Sequence, residues 1–113
     1  MSVADSITGA LKRFGRPMTL RRLTLTPGGV QTRLDVTVNV TTKGASASEL
    51  IANQTQADTI ITFSNAEIAL AQWPGPPKKD DRIIDGATTK EVLAVETKYL
   101  GGEVLVHVCA TKG

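Results

Sequence analysis

The chain has 113 residues, enough for one domain with a single hydrophobic core. Its 13 basic and 11 acidic residues leave a net charge of +2, a surplus too small to indicate nucleic-acid binding. One Trp, one Tyr and two Phe residues are too few for a surface that stacks several bases.

The cysteine content and the distribution of apolar residues narrow the class of protein further. Cys109 is the only cysteine, which excludes a disulfide within the chain, and its alternating apolar surroundings favour a small buried side chain over a reactive thiol. No run approaches the ~18 apolar residues of a membrane-spanning helix, and the first residues lack the pattern of a signal peptide. We therefore expect a soluble protein made in a reducing cytoplasm.

Residues 1–15 predict a short amphipathic helix. Ile7 and Leu11 lie at helical spacing, and Gly15 is a typical helix stop. From Pro17 onwards the apolar period changes to two, which predicts a strand.

The first predicted strand contains a break in its alternation. Met18 and Leu20 share one parity, whereas Leu23 and Leu25 share the other, so we predict a β-bulge at the two arginines between them. After a turn at 27–29, the even-numbered residues form one face of a long, half-buried strand. The residues of this face are Val30, Thr32, Leu34, Val36, Val38 and Val40.

A polar segment over residues 43–58 predicts a long, flexible loop, of a length that is commonly functional or disordered. The strand pattern returns at Thr59–Phe63. Ser64 and Glu67 then form a capping-box pattern before a short helix that ends ahead of Trp73.

The prolines that follow Trp73 indicate a stiff, extended connector over 73–77, because each proline fixes φ and removes a backbone donor. We interpret Trp73, with Pro74, as a buried structural anchor between the short helix and the final strands.

Residues 82–113 predict three antiparallel strands joined by tight turns. The strands are Arg82–Asp85, Thr89–Thr97 and Glu103–Thr111, and the turns are Asp85-Gly86 and Gly101-Gly102. The last strand has apolar residues on both faces, which predicts a central position. The chain as a whole predicts one mainly β domain (α+β): a small, bent antiparallel β-barrel or sandwich with an N-terminal helix, one short internal helix and a long polar loop.

The sequence contains no recognisable catalytic or metal-binding pattern. His107 is the only histidine and lies within a strand without a second ligand nearby in sequence, which favours a packed core histidine. No serine lies in a nucleophile motif, and the acidic pairs do not converge. We therefore expect a protein that is not an enzyme, with no catalytic residue, no metal site and no cofactor.

Basic side chains form a candidate interface with an acidic partner. They are Arg13, Arg16, Arg21, Arg22, Lys78 and Lys79. The alternative for the four arginines is structural: they would complement a helix dipole and form a polar strand face. The run Lys78-Lys79-Asp80-Asp81 suggests a phosphate site next to carboxylates, but its mixed charges favour a solvated turn.

Several segments together resemble a known family. They are the run Leu11-Lys12-Arg13-Phe14-Gly15-Arg16-Pro17-Met18-Thr19-Leu20-Arg21-Arg22, the strand and polar loop after it, Ile61-Thr62-Phe63, the run Trp73-Pro74-Gly75-Pro76-Pro77-Lys78-Lys79-Asp80-Asp81-Arg82, and the closing hairpins. In this order they resemble the small head-completion proteins of long-tailed bacteriophages and prophages, also called head-tail connector, joining or stopper proteins. The resemblance covers nearly the whole chain.

The resemblance implies a barrel-like domain that assembles as a ring, hexameric or dodecameric, below the portal and adaptor. Such a ring closes the filled head, retains packaged DNA and presents a surface to the tail. The DNA would pass through the channel without sequence-specific contact, and no membrane would be involved. The implied location is the head-tail neck of the virion, with the host cytoplasm during assembly.

The resemblance also places a long internal loop near the DNA channel, and this loop corresponds to residues 43–58. The residues implied to line the channel are Lys43, Ser46, Ser48, Glu49, Asn53, Gln54 and Gln56. Their largely neutral character would not hold phosphates by charge.

Other functions remain as alternatives. A tail-terminator or head-tail adaptor protein belongs to the same neck and has a similar size. A more distant alternative is a nucleic-acid-binding β-barrel, which the few aromatic residues disfavour, and a small hydrolase would need a catalytic dyad that the sequence does not show.

Overall fold

The computed structural model of the chain describes residues 3–44 and 57–113, and in them six strands close into an antiparallel barrel in the order β1-β2-β3-β6-β5-β4. The elements are α1 (Val3–Phe14), β1 (Arg16–Leu25), β2 (Gln31–Gly44), β3 (Thr59–Ser64), α2 (Asn65–Leu70), β4 (Arg82–Asp85), β5 (Thr88–Leu100) and β6 (Glu103–Lys112). The barrel closes where β1 pairs with β4. The predicted mainly β barrel with two helices is confirmed.

The barrel interior is one apolar cluster, supplied by the inward-facing residues of the strands together with α2 and the connector. Its members are Met18, Leu20, Val38, Val40, Ile61, Phe63, Ile68, Trp73, Ile83, Val92 and Cys109. On the opposite face of β3 and β6, Ile60 and Ala110 form a second, smaller cluster. Helix α1 packs against β2, β3 and β6. Burying one face of each strand inside a closed barrel leaves no edge strand in this part of the sheet.

The β-bulge predicted in β1 is wrong. The pairing of β1 with β2 runs without a shift from Arg16 opposite Val40 to Leu25 opposite Gln31. Arg22 therefore lies on the same inward face of β1 as Met18. The apolar pattern breaks because an arginine occupies a position on this face where a core residue would be expected. The leucines after it face outwards.

Strand β2 is buried along a shorter stretch than its sequence predicts. Val38 and Val40 are buried, but Leu34 and Val30 are exposed. The reason is that β3 pairs with β2 only from Val40 to Gly44, so the first part of β2 extends beyond the barrel. A regular apolar pattern does not reveal where the neighbouring strand stops.

The predicted loop is shorter at both ends. Lys43 lies within β2, opposite Ile60, and the backbone N–H of Asp58 donates to the Thr111 carbonyl at 2.9 Å. The rest of the predicted channel loop lies outside the described residues. This applies to Ser46, Ser48, Glu49, Asn53, Gln54 and Gln56.

Helix α2 begins with the predicted cap, but only half of the capping box forms. The Ser64 hydroxyl accepts from the backbone N–H of Ala66 at 3.1 Å. Glu67 does not fold back on the cap: its carboxylate accepts instead from the backbone N–H of Asn39 at 3.1 Å and from the Asn39 amide at 3.0 Å. The glutamate thus fastens α2 to β2.

The predicted C-terminal strands and turns are confirmed, with β5 longer than expected. Strand β6 lies between β3 and β5, which confirms its central position. At the turn between β5 and β6, Gly101 and Gly102 have φ values of 58° and 85°, the left-handed conformation that a tight hairpin turn requires.

Gly15 allows α1 to approach β2 closely. Its backbone N–H donates to the Leu11 carbonyl at 2.9 Å and ends the helix. A Cβ at this position would lie 2.4 Å from the Val40 carbonyl oxygen and 2.6 Å from the Leu11 carbonyl oxygen, both backbone atoms that cannot move aside cheaply. In contrast, a Cβ at Gly9, in the middle of α1, would meet no atom within 4 Å.

We expect Gly9, within α1, and Gly15, directly after α1, to respond oppositely to alanine. Gly15→Ala should lower the free energy of unfolding by more than about 1 kcal/mol because the backbone must move. Gly9→Ala should raise it by about 0.5–1 kcal/mol because alanine favours the helix. Urea unfolding of both variants measures this, and a stable Gly15→Ala protein would contradict the close approach.

Candidate functional site

Two long hairpins project from one end of the barrel, and we name this region the hairpin end: residues 22–35, residues 96–106 and α2. Because strand direction alternates around the barrel, the β1–β2 turn and the β5–β6 turn lie at the same end. At this end of the barrel, β4 reaches only as far as Arg82, which lies opposite Arg21. Strand β3 reaches only as far as Ser64, which lies opposite Val106. The two hairpins continue past both of these short strands.

The hairpin end carries most of the exposed apolar surface. The exposed large apolar side chains of the described residues are Phe14, Leu25, Val30, Leu34, Leu70, Tyr99 and Leu100. All but Phe14 lie at the hairpin end. Leu70 is 88% exposed and Leu25 is 71% exposed. Single exposed apolar residues are ordinary, but a concentration of them at one end indicates a contact surface.

The connector between α2 and β4 closes this end of the barrel. Trp73 is 6% exposed and belongs to the barrel core, and its backbone N–H donates to the Ile68 carbonyl at 2.9 Å. Its indole Nε1 is buried without a hydrogen-bond partner. Burial of Trp73 agrees with the predicted anchor.

Arg22 holds the connector against β1. Its guanidinium forms a bidentate pair with Asp81, at 2.9 Å from Nε to Oδ1 and 2.8 Å from Nη2 to Oδ2. It also donates to the carbonyl oxygens of Pro74 and Pro76, both at 3.1 Å. The guanidinium lies 5.0 Å from the centre of the Trp73 ring, within the range of a cation–π contact.

The buried pair corrects two interpretations of the sequence. The Arg22 side chain is 11% exposed and that of Asp81 is 2% exposed, so Arg22 acts inside the molecule and Asp81 is not part of a solvated turn. The signal was present in the sequence, because Arg22 continues the inward parity of Met18 and Leu20. Its charge interrupts the apolar pattern without interrupting the strand.

The six basic residues of the candidate interface do not form one patch. Arg16 pairs with Asp85 at 2.8 Å, at the end of β1 away from the hairpin end. Arg21 pairs with Asp35 at 2.8 Å, and this hydrogen bond lowers the pKa of the Asp35 carboxyl. Arg13 lies 6.0 Å from the centre of the Phe14 ring, and Lys78 and Lys79 are exposed beside the end of β1. A role of the five residues other than Arg22 in binding a partner stays a prediction.

A groove of about 300 Å³ lies between α2 and the β5–β6 hairpin. Apolar side chains line most of it, among them Ile68, Trp73, Tyr99 and Val104. His107, at the base of this groove, is 1% exposed.

His107 is satisfied by two polar neighbours. Its Nδ1 lies 2.9 Å from the Thr97 hydroxyl, and its Nε2 lies 2.9 Å from the Asn65 side-chain oxygen. A neutral ring with its proton on Nε2 can donate to Asn65 and accept from Thr97. Burial lowers the pKa of His107 to about 4, because the charged ring would lose its hydration. These contacts confirm the expected packed core histidine.

The remaining candidate chemical groups are also enclosed or dispersed. Cys109 is fully buried, and burial followed by the charge of Asp81 raises the pKa of its thiol. Among residues 3–44 and 57–113, no group of three or more His, Cys, Asp or Glu side chains could hold a metal ion. Within the same residues, no helix combines the length and the hydropathy needed to span a bilayer.

Comparisons with protein-family models, with curated proteins and with solved structures give no match to this chain.

Breaking the Arg22–Asp81 pair should destabilise the protein much more than breaking a surface pair. Arg22→Met leaves the Asp81 carboxylate buried without its counter-charge, and we expect a loss of about 3–5 kcal/mol. Arg21→Met, the matched control at an exposed pair, should cost less than about 1 kcal/mol. Urea unfolding gives both values, and equal losses would mean that the buried pair does not hold the connector.

His107 should make the protein less stable in mild acid. Its pKa is about 4 in the folded protein and 6.5 in the unfolded chain. Between these values only the unfolded chain takes up the proton, so stability falls as the pH falls from 6.5 to 4, by up to about 3 kcal/mol. His107→Gln should flatten this part of the curve. Urea midpoints measured from pH 7 to pH 4 check this, and an unchanged slope in the variant would assign the effect to other groups.

Proposed function

We propose that the chain is a structural protein of the neck of a long-tailed phage or prophage, a ring-forming head-completion or stopper protein. It would connect the portal and adaptor to the tail and retain packaged DNA. The ring would be a hexamer or a dodecamer, with DNA passing through its channel without sequence-specific contact. The proposal includes no enzymatic step and no cofactor.

The observation that carries this proposal is the concentration of exposed apolar side chains at the hairpin end. A folded monomer gains nothing from leaving such residues in water, whereas a subunit that docks on another ring can bury them. The two hairpins continue strands of the closed barrel, so the backbone that presents this surface is already paired as β-sheet before docking. Docking then costs little ordering of the backbone.

The closed barrel supports the proposal in a second way. A subunit of an assembly must stay soluble before assembly without pairing with other strands at random. Closure of the barrel removes strand edges in the part of the sheet away from the hairpin end. The contact-forming features are then restricted to one end. This division suits a subunit with one face toward the head and another toward the tail.

The resemblance of the sequence to head-completion proteins supplies the particular place in the neck. It rests on the run from Leu11 to Arg22 and on the run from Trp73 to Arg82. In the structure the second run is the connector that Arg22, from the first run, holds in place. The two segments that carry the resemblance thus depend on one another physically.

Disruption of the gene in a lysogen that carries it tests the proposal. We expect induced cells to accumulate DNA-filled heads without tails, with DNA that is accessible to nuclease, and complementation should restore tailed particles. Electron cryomicroscopy of complemented particles should place the chain between portal and tail, and its layer would separate a stopper from an adaptor or a tail terminator. Tailed, infectious particles formed without the chain would refute a neck function.

Two surface variants refine the test. Leu70→Ser with Leu100→Ser should leave the free subunit folded, because both side chains are already in water, but should reduce head-tail joining at least about tenfold. Phe14→Ser, at the opposite end of the barrel, is the matched control for tail joining. Normal joining with the double variant would remove the hairpin end from the docking surface.

A further inference from the structure

The first part of β2 has a strand edge without a partner among the described residues. On one side, β2 pairs with β1 from Gln31 onwards. On the other side, β3 begins to pair only at Val40, and Glu67 satisfies the backbone N–H of Asn39. Residues 31–35 are all exposed. Their outward backbone groups are therefore accessible to another chain.

This edge carries no proline, no lysine and no β-bulge, three of the devices that prevent pairing. Natural edge strands commonly carry proline, lysine or a β-bulge where they would otherwise invite another strand. The stretch from Gln31 to Val38 contains no proline and no lysine, and its pairing with β1 is regular. An edge of this kind favours addition of a strand.

The charges on the edge are complementary to themselves. Arg33 and Asp35 flank Leu34 and lie on the same, outer face of β2, where both are exposed. In an antiparallel pair of two β2 strands centred on Leu34, Arg33 lies opposite Asp35 of the second copy, and the two-fold axis repeats this pair. Opposite charges directly across a strand pair stabilise it.

We propose that two copies of the free protein form a dimer by antiparallel pairing of their β2 edges, centred on Leu34. The two β1–β2 hairpins then form one four-stranded sheet, and the Leu34 side chains, each 41% exposed in the single subunit, meet at the axis. A two-fold contact uses the same surface on both copies, so assembly stops at two. The dimer goes beyond the proposed neck function and does not depend on it.

Contacts within the subunit leave these charges available. Asp35 already accepts from Arg21 at 2.8 Å and 3.0 Å, and Arg33 lies 3.5 Å from the same carboxylate. A carboxylate has lone pairs for more than two donors. Arg33 is 62% exposed and can turn towards the second copy.

Charge reversal tests the proposal by sedimentation of the free protein over a range of concentrations. The unchanged chain should sediment as a concentration-dependent dimer. Arg33→Asp alone, or Asp35→Arg alone, places like charges opposite one another twice and should weaken the dimer at least about tenfold. An equimolar mixture of the two variants restores opposite charges at both positions and should form a heterodimer. Circular dichroism and urea unfolding confirm that each variant is folded.

Two controls make the test specific to this edge. Lys98→Asp changes the same amount of charge on β5 and should leave the dimer intact. Leu34→Cys should form an intersubunit disulfide under oxidation, because directly opposite residues in an antiparallel pair lie about 4.5–5.5 Å apart at Cα. Leu25→Cys, more exposed but on β1, should crosslink far less, and buried Cys109 gives little background.

The outcomes separate the alternatives. A monomeric parent protein, or single charge variants that dimerise as well as the parent and show no preference for one another, would overturn the proposal. Crosslinking of Leu25→Cys but not Leu34→Cys would place the contact at the hairpin tip instead. None of these measurements uses phage particles, so a failed dimer and a failed neck function are distinguishable.

Discussion

The ion pair of Arg22 and Asp81 is the interaction on which the structure of the hairpin end depends. It joins β1 to a connector whose backbone is otherwise hydrogen-bonded to α2 and to Val92 of β5, and Arg22 also covers the Trp73 ring. Two buried charges are expensive to desolvate, but here the guanidinium satisfies both the carboxylate and two carbonyl oxygens of the connector. The same contact therefore positions α2, the groove beside it and the end of the barrel.

Unequal strand lengths shape the same end of the molecule. Strand β4 begins only at Arg82, after the connector, and β3 gives way to α2 after Ser64. The two hairpins continue without these neighbours. The open edge of β2 and the exposure of Leu34 result from that difference in length, so the proposed dimer and part of the proposed docking end share one structural cause.

The position of polar groups in the core also has a functional implication. His107 and Cys109, the two side chains with the most versatile chemistry, are buried, and the two ring nitrogens of His107 have partners in Thr97 and Asn65. Their burial stabilises one neutral arrangement inside the barrel. The hairpin end instead exposes apolar side chains and the free edge of β2, features that suit contact with other proteins, together with charged side chains.

Elements whose signals are local could be predicted from the sequence. The Ser64 cap, the glycine turn at 101–102 and the apolar alternation of the final strands depend on a few neighbouring residues, and the structure confirms them. Three features depend on the tertiary structure: the hydrogen-bond partner of Glu67, the burial of Asp81 and the exposure of Leu34. Each depends on a segment distant in sequence: Asn39 for Glu67, Arg22 for Asp81, and the end of β3 for Leu34. Local patterns specify which face of a strand is apolar, but the neighbouring elements determine how far that face is covered.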